Sequence, residues 1–275
     1  MNTTVTRTLS GIVFLAVMIS GLILHPYYYG ALMAVLLLGL LWEFYHINLG
    51  ERHRVPRSIA MLSGLALFVG IFCVHAFGVP HKFIGLTAFF LLALLISTLL
   101  EKDLSNFRDT AILYTGLLYL AVPLALSNLV VFRSGSFDGT LMLAFFCIIW
   151  ASDVGAYCFG MLFGQKGGKK LFPSISPKKS WAGFWGGLLM AVVASAVLYW
   201  TGLFGFPVWH CVVLSVMMHV AGVFGDLYES QWKRTCGVKD SSQLIPGHGG
   251  LMDRFDSALF AIPAGFIYLA LFGLV

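Results

Sequence analysis

Nine long apolar runs, at about 9–25, 28–45, 58–77, 83–100, 110–132, 140–163, 181–200, 207–228 and 255–275, leave this 275-residue chain few ways to fold. A helix needs about 20 mostly apolar residues to cross a bilayer, and each run approaches or exceeds that length. With 59% hydrophobic and only 11% charged residues, the composition excludes a soluble domain and a disordered or fibrous chain. The expected fold class is therefore an all-α integral membrane protein, a polytopic bundle of about nine transmembrane helices. The connections are short except at 164–180 and 229–254, so 1–275 reads as a single membrane domain. About five spans fall in 1–135, and the remaining helices fall in 140–275.

The charges predict how those helices face. The first run follows Arg7 but has no small-residue cleavage site and ends at His25-Pro26-Tyr27, so it reads as a retained helix and not a signal peptide. If nine helices alternate, one side carries Arg7, Arg52, Arg54, Arg57, Lys102, Arg108, Lys166, Lys169, Lys170, Lys178, Lys179, Lys233, Arg234, Lys239 and Arg254. The other side carries only Lys82 and Arg133. The positive-inside rule then puts the N-terminus and loops 164–180 and 229–254 in the cytoplasm and the C-terminus outside. One span more or fewer would scramble this asymmetry, so it also supports the count of nine.

The five cysteines contain no CxxC pair, which predicts neither disulfides nor zinc. The acids are more informative. Asp153, Asp226, Glu229, Asp240, Asp253 and Asp256 gather toward the cytoplasmic ends of the last four helices. A carboxylate within hydrocarbon costs about 2.5–3.5 kcal/mol on insertion scales, so it needs a partner, an ion or a wet cavity. Asp226 and Glu229, like Asp253 and Asp256, are spaced i, i+3, which sets each pair on one helical face. Paired carboxylates repel, and a hard cation such as Mg²⁺, which takes one or two carboxylates together with water and phosphate oxygens, relieves the repulsion.

Between those pairs runs Gly225-Asp226-Leu227-Tyr228-Glu229-Ser230-Gln231-Trp232-Lys233-Arg234, followed by Lys239-Asp240 and then Pro246-Gly247-His248-Gly249-Gly250-Leu251-Met252-Asp253-Arg254-Phe255-Asp256. Basic side chains neutralise phosphate oxygens, and glycines let backbone N–H groups approach an anion. His248, set between glycines, suits a positional role. Loop 164–180 adds Lys178 and Lys179 within Ser176-Pro177-Lys178-Lys179-Ser180-Trp181 but lacks the P-loop spacing. Gly183, Gly186 and Gly187 suit close helix packing, and His75, His210 and His219 suit packing more than ligation.

The segment Ser230 to Asp256, reading Ser-x-x-Lys-Arg, Lys-Asp and Pro-Gly-His-Gly-Gly-x-x-Asp-Arg-x-Asp, resembles the signature of phosphatidate cytidylyltransferases, or CDP-diacylglycerol synthases. Ser152-Asp153 with Ala156-Tyr157 and Gly160, and Ser176 to Trp181, extend the likeness to the C-terminal half. Ala182, where many members carry a polar residue, and Ser180, where threonine is frequent, depart from it. The resemblance implies condensation of CTP with phosphatidic acid to CDP-diacylglycerol and pyrophosphate, with Mg²⁺, in a bacterial inner membrane. On that basis Asp226 and Asp253 are the expected metal ligands, Asp153 and Asp256 either contribute to a second cation site or orient the basic residues, and a monovalent cation beside Mg²⁺ is left open. The expected catalytic set is Asp226, Lys233, Arg234, Lys239, Asp240, His248, Asp253, Arg254 and Asp256. Ser176, Lys178, Lys179, Ser180, Ser230, Gly249 and Gly250 are expected to bind substrate. CTP, phosphatidic acid and membrane lipids are the expected partners, a homodimer is left open, and nucleic acid is excluded.

Two other readings compete. A CTP-dependent lipid-alcohol kinase or a CDP-ether-lipid synthase would use similar chemistry. A cation-coupled transporter would explain Asp153 and Asp226 but not the basic and glycine-rich segments, and the paired broken helices or repeats usual in transporters are not visible.

Overall fold

The computed structural model describes residues 3–100, 107–165, 168–245 and 249–275. Eight helical segments among them are long and apolar enough to cross a membrane: Pro26–Leu49, Arg54–Phe77, His81–Leu99, Phe107–Val131, Thr140–Phe163, Trp181–Trp200, Val208–Thr235 and Met252–Leu271. Ahead of them runs α1 (Thr3–Ile23), whose apolar part, Thr8–Ile23, is shorter. The nine apolar runs are thus nine helical segments, and the protein is an all-α integral membrane protein with one small hairpin among the described residues.

The chain divides into two compact units. The first comprises residues 1–138 and 240–253. The break between its first two helices is local: His25 is extended, its Nδ1 accepts the Tyr27 N–H at 3.3 Å, and Pro26 opens α2 (Pro26–Leu49), where its missing N–H costs nothing. There follow α3 (Arg54–Phe77), a 3-10 turn at His81–Gly85, α4 (Leu86–Leu99), α5 (Phe107–Gly116) and α6 (Val122–Val131). A π turn, Leu117–Ala121, joins α5 to α6 just before Pro123. Proline cannot donate to the residue four back and clashes with its carbonyl, and one wider turn accommodates both effects without breaking the span. Several polar side chains inside this unit are paired across helices. The Tyr29 and Ser127 hydroxyls lie 2.5 Å apart, the Tyr45 hydroxyl donates to Leu113 O at 2.7 Å, and Asn128 Nδ2 donates to Phe68 O at 3.3 Å.

The second unit comprises residues 139–239 and 254–275. It holds α7 (Thr140–Phe163), strands β1 (Lys170–Phe172) and β2 (Ser176–Ser180), α8 (Trp181–Trp200), α9 (Val208–Thr235) and α11 (Ala258–Leu271); of the single turn α10 (Met252–Phe255), only Arg254 and Phe255 belong to it. Gly183, Gly186 and Gly187 are buried on α8, as expected of small packing residues.

Two stretches expected to be loops carry regular structure. In 164–180, β1 and β2 pair antiparallel, with Lys170 opposite Ser180 and Phe172 opposite Ser176. Ser180 then caps α8, its Oγ accepting the Gly183 N–H at 3.2 Å. In 229–254, α9 continues to Thr235, so Ser230, Lys233 and Arg234 sit on a helix. It stops where Gly237 takes a left-handed φ of 71°, with Gly237 N donating to Arg234 O and Val238 N to Lys233 O. That is a Schellman stop, which a glycine accepts without strain.

Candidate active site

Within the second unit, α9 comes very close to the start of the last span. A Cβ on Gly225 would lie 2.4 Å from Asp256 O, and one on Gly222 would lie 3.4 Å from the Ser257 Cβ. Only glycine at 225 permits that approach, since the opposing atom is backbone and cannot swing away. The residues next along α9 are thereby brought to Asp256. Asp226, Glu229 and Asp256 each offer a carboxylate oxygen, and the three atoms lie within 4.8 Å of one another.

Two ammonium groups reach this cluster. Lys179, on β2, places Nζ 2.5 Å from Asp226 Oδ2, so the hairpin carries a cation to α9. Lys233, one turn beyond Glu229, places Nζ 2.7 Å from Glu229 Oε2. Glu229 is buried, at 1% side-chain exposure, whereas Asp226 is about one-third exposed. Ser230 Oγ donates to Asp226 Oδ1 at 3.4 Å, and Ser257 N donates to Asp256 Oδ1 at 2.7 Å. Asp153, on α7, interacts electrostatically with Asp226, Asp256, Lys179 and Arg254. It lines a small pocket with Ser152, His219, Gly222 and Ser257, in which Ser152 Oγ and His219 Nδ1 are hydrogen-bonded at 2.7 Å.

The donor set is chemically suited to a hard cation. All three groups offer oxygen, one is buried, and their mutual repulsion falls when a divalent ion or an ammonium is shared among them. Among the described residues of this unit, Asp226, Glu229 and Asp256 are placed to hold such an ion. Glu229 was noticed in the sequence as the i, i+3 neighbour of Asp226 but was not assigned to the site, and that spacing was the signal to use.

Other expected residues fall elsewhere. Lys178 and Arg254 are exposed in the second unit, as are Arg234 and Lys239, and Ser176 is half-buried on β2. Asp240, exposed, and Asp253 belong to the first unit. There Asp253 Oδ2 accepts the Ser241 N–H at 3.0 Å and the Gly250 N–H at 2.8 Å, and Ser241 Oγ lies 3.1 Å from it. Gly249 has φ of 84°, and a Cβ there would lie 2.6 Å from Asp253 Oδ2, so glycine is required by the fold of this segment. His248 and Lys166 lie outside the described residues.

Sequence comparison agrees with the resemblance. The model of the cytidylyltransferase family matches residues 5–272. A phosphatidate cytidylyltransferase of Staphylococcus epidermidis is 31% identical over 264 residues, covering 94% of this chain and 95% of the relative. One of Staphylococcus aureus is 32% identical over 265 residues, with the same coverages. One of Staphylococcus haemolyticus is 36% identical over 171 residues, 62% of this chain, and the matched part spans 63% of that relative's length. The near-complete match to the family model and the whole-length similarity to these relatives establish that the chain belongs to the cytidylyltransferase family.

Proposed function

We propose that this protein is a phosphatidate cytidylyltransferase of a bacterial cytoplasmic membrane, with its acidic cluster facing the cytoplasm, that converts CTP and phosphatidic acid to CDP-diacylglycerol and pyrophosphate. The observation that carries this reading is the meeting of Asp226, Glu229 and Asp256 with Lys179 and Lys233 at the end of a membrane-spanning unit. Two substrates rich in phosphate oxygens need both cation ligands and cations. The names of the relatives and the signature from Ser230 to Asp256 point to phosphatidate as the acceptor.

In the proposed reaction a phosphate oxygen of phosphatidic acid attacks the α-phosphorus of CTP in line. The bond from that phosphorus to the bridging oxygen breaks, and pyrophosphate leaves with the electron pair. The phosphate nucleophile is already ionised near neutral pH, so no strong base and no covalent enzyme intermediate are required. Asp226 and Asp256, with Glu229 beside them, would hold Mg²⁺, which when bound neutralises charge on the transferring phosphoryl group and the leaving group. Lys179 and Lys233 already sit on those carboxylates and are placed to exchange them for phosphate oxygens as substrate enters. Lys239, Arg234, Arg254 and Lys178 complete the proposed set, orienting the two phosphorylated substrates, and for Asp253 the signature implies a metal-ligand role. A membrane fold suits a reaction in which one substrate keeps its acyl chains in the bilayer.

The test is release of pyrophosphate by the purified, detergent-solubilised protein, omitting CTP, phosphatidic acid or Mg²⁺ in turn. Dependence on all three supports the reading. CDP as the product with a lipid alcohol would make the protein a kinase, and neither product from folded protein would overturn the assignment.

A further inference from the structure

Glu43 is an acid in the middle of an apolar helix that the chemistry above does not use. It lies on α2 with 1% of its surface exposed. Among the described residues it forms no salt bridge. Instead its two oxygens accept four hydrogen bonds from one segment nearly two hundred residues away: Oε1 from Ser242 Oγ at 2.5 Å and Leu251 N at 2.8 Å, and Oε2 from Ser241 Oγ at 2.9 Å and Met252 N at 2.9 Å. A carboxylate buried in this way is retained only because donors replace its water.

The arrangement is specific in both directions. Ser241 and Ser242 open the segment 240–253, and Leu251 and Met252 close it, so one carboxylate ties both ends. Ser241 Oγ lies between Glu43 Oε2 at 2.9 Å and Asp253 Oδ2 at 3.1 Å, and Ser241 N and Gly250 N also donate to Asp253 Oδ2. A Cβ on Gly250 would come within 2.7 Å of both Glu43 oxygens and 2.0 Å of Ser241 Oγ. The second glycine of the pair at 249–250 thus leaves room for Ser241 Oγ and the Glu43 carboxylate together.

We propose that Glu43 is a positioning residue for the reaction: its buried carboxylate holds Ser241, Ser242, Leu251 and Met252 against α2 and, through Ser241, fixes the orientation of the Asp253 carboxylate. The inference rests on the proposed cytidylyltransferase reading for its catalytic consequence, while the clamp itself is testable without activity. Glutamine at 43 would keep the shape but set an NH₂ group against at least one donor, which neither partner can satisfy.

The experiment compares wild type with Glu43→Gln, Ser241→Ala and the double variant in the full-length, detergent-solubilised protein. Hydrogen–deuterium exchange is read at peptides covering the segment and α2, alongside pyrophosphate release from CTP, phosphatidic acid and Mg²⁺. In Glu43→Gln, exchange is expected to rise at Leu251 and Met252 and to stay unchanged along α2. The turnover number is expected to fall tenfold or more with little change in the KM for CTP. The double variant is expected to be no more than about threefold worse than Glu43→Gln alone, because both changes cut one chain of hydrogen bonds. Fully multiplicative losses, or unchanged exchange at Leu251 and Met252, would overturn the proposal. A wild-type protein that releases no pyrophosphate would overturn the enzyme reading instead, and the exchange data would still decide the clamp.

Discussion

Lys179 Nζ and Asp226 Oδ2 meet at 2.5 Å, joining strand β2 to helix α9 across 47 positions of sequence. Both side chains keep partial contact with solvent, at 24% and 34% exposure, so the pair is accessible to incoming phosphate and is more than a sealed structural bridge. We expect Lys179→Ala to lower kcat/KM for CTP by about tenfold or more, since a hydrogen bond to a charged group contributes roughly 1.5–3 kcal/mol. Lys178→Ala, removing an exposed neighbour, should cost less. Steady-state pyrophosphate release against CTP concentration checks both, and equal losses would argue against a special place for Lys179.

The carboxylate cluster makes separable demands on stability and activity. Glu229 is buried against Lys233, so Glu229→Gln removes a carboxylate charge that lies 2.7 Å from the ammonium. Breaking such a pair costs about 3–5 kcal/mol. A lower thermal unfolding midpoint is therefore expected together with lost activity. Asp226→Asn, at a more exposed position, should lose activity with a much smaller change in midpoint. Thermal unfolding and turnover measured on the same preparations distinguish the two.

Chelation provides a direct check on the donor set. EDTA should abolish turnover in the wild type, and added Mg²⁺ should restore it. Asp256→Asn should shift the Mg²⁺ concentration for half-maximal activity upward, because a hard cation loses one of its oxygen ligands. An unchanged Mg²⁺ midpoint would remove Asp256 from the cation site.

The approach of α9 to Asp256 depends on a missing side chain. Gly225→Ala would put a methyl group 2.4 Å from a backbone oxygen, and overpacking of this kind costs roughly 1–3 kcal/mol. We expect a lower unfolding midpoint and at least a tenfold loss of turnover as the three carboxylates separate. Gly205→Ala, where a Cβ would meet nothing within 4 Å, is the control and should behave as wild type.

The proposed orientation follows from the distribution of basic residues. Single cysteines introduced at Ser174 and at Ser136 in a cysteine-free background should label from opposite sides of the membrane, Ser174 from the cytoplasm. Labelling of both from one side would refute the orientation.

The helices were legible in the sequence because hydrocarbon imposes a local rule: a stretch of about 20 apolar residues must satisfy its own backbone. The span at 110–132 was read through its proline at 123, although not the π turn that tolerates it. The spacing of Asp226 and Glu229 likewise defined one helical face before any contact was known. Hydropathy alone ends α9 near residue 228 because Glu229 to Thr235 is polar, whereas the Glu229–Lys233 pair and the stop at Gly237 keep it helical to Thr235. Which groups meet was decided only by tertiary structure. Asp256 joins Asp226 and Glu229 because Gly225 permits one backbone to approach another, Lys179 arrives on a hairpin, and Asp253 spends an oxygen on Ser241 and Gly250. Glu43 left no legible trace, being one acid in an apolar run whose partners lie at 241–252. Hydropathy and helical spacing act over a few turns of chain, but a hydrogen bond between residues 43 and 252 exists only when packing brings them together.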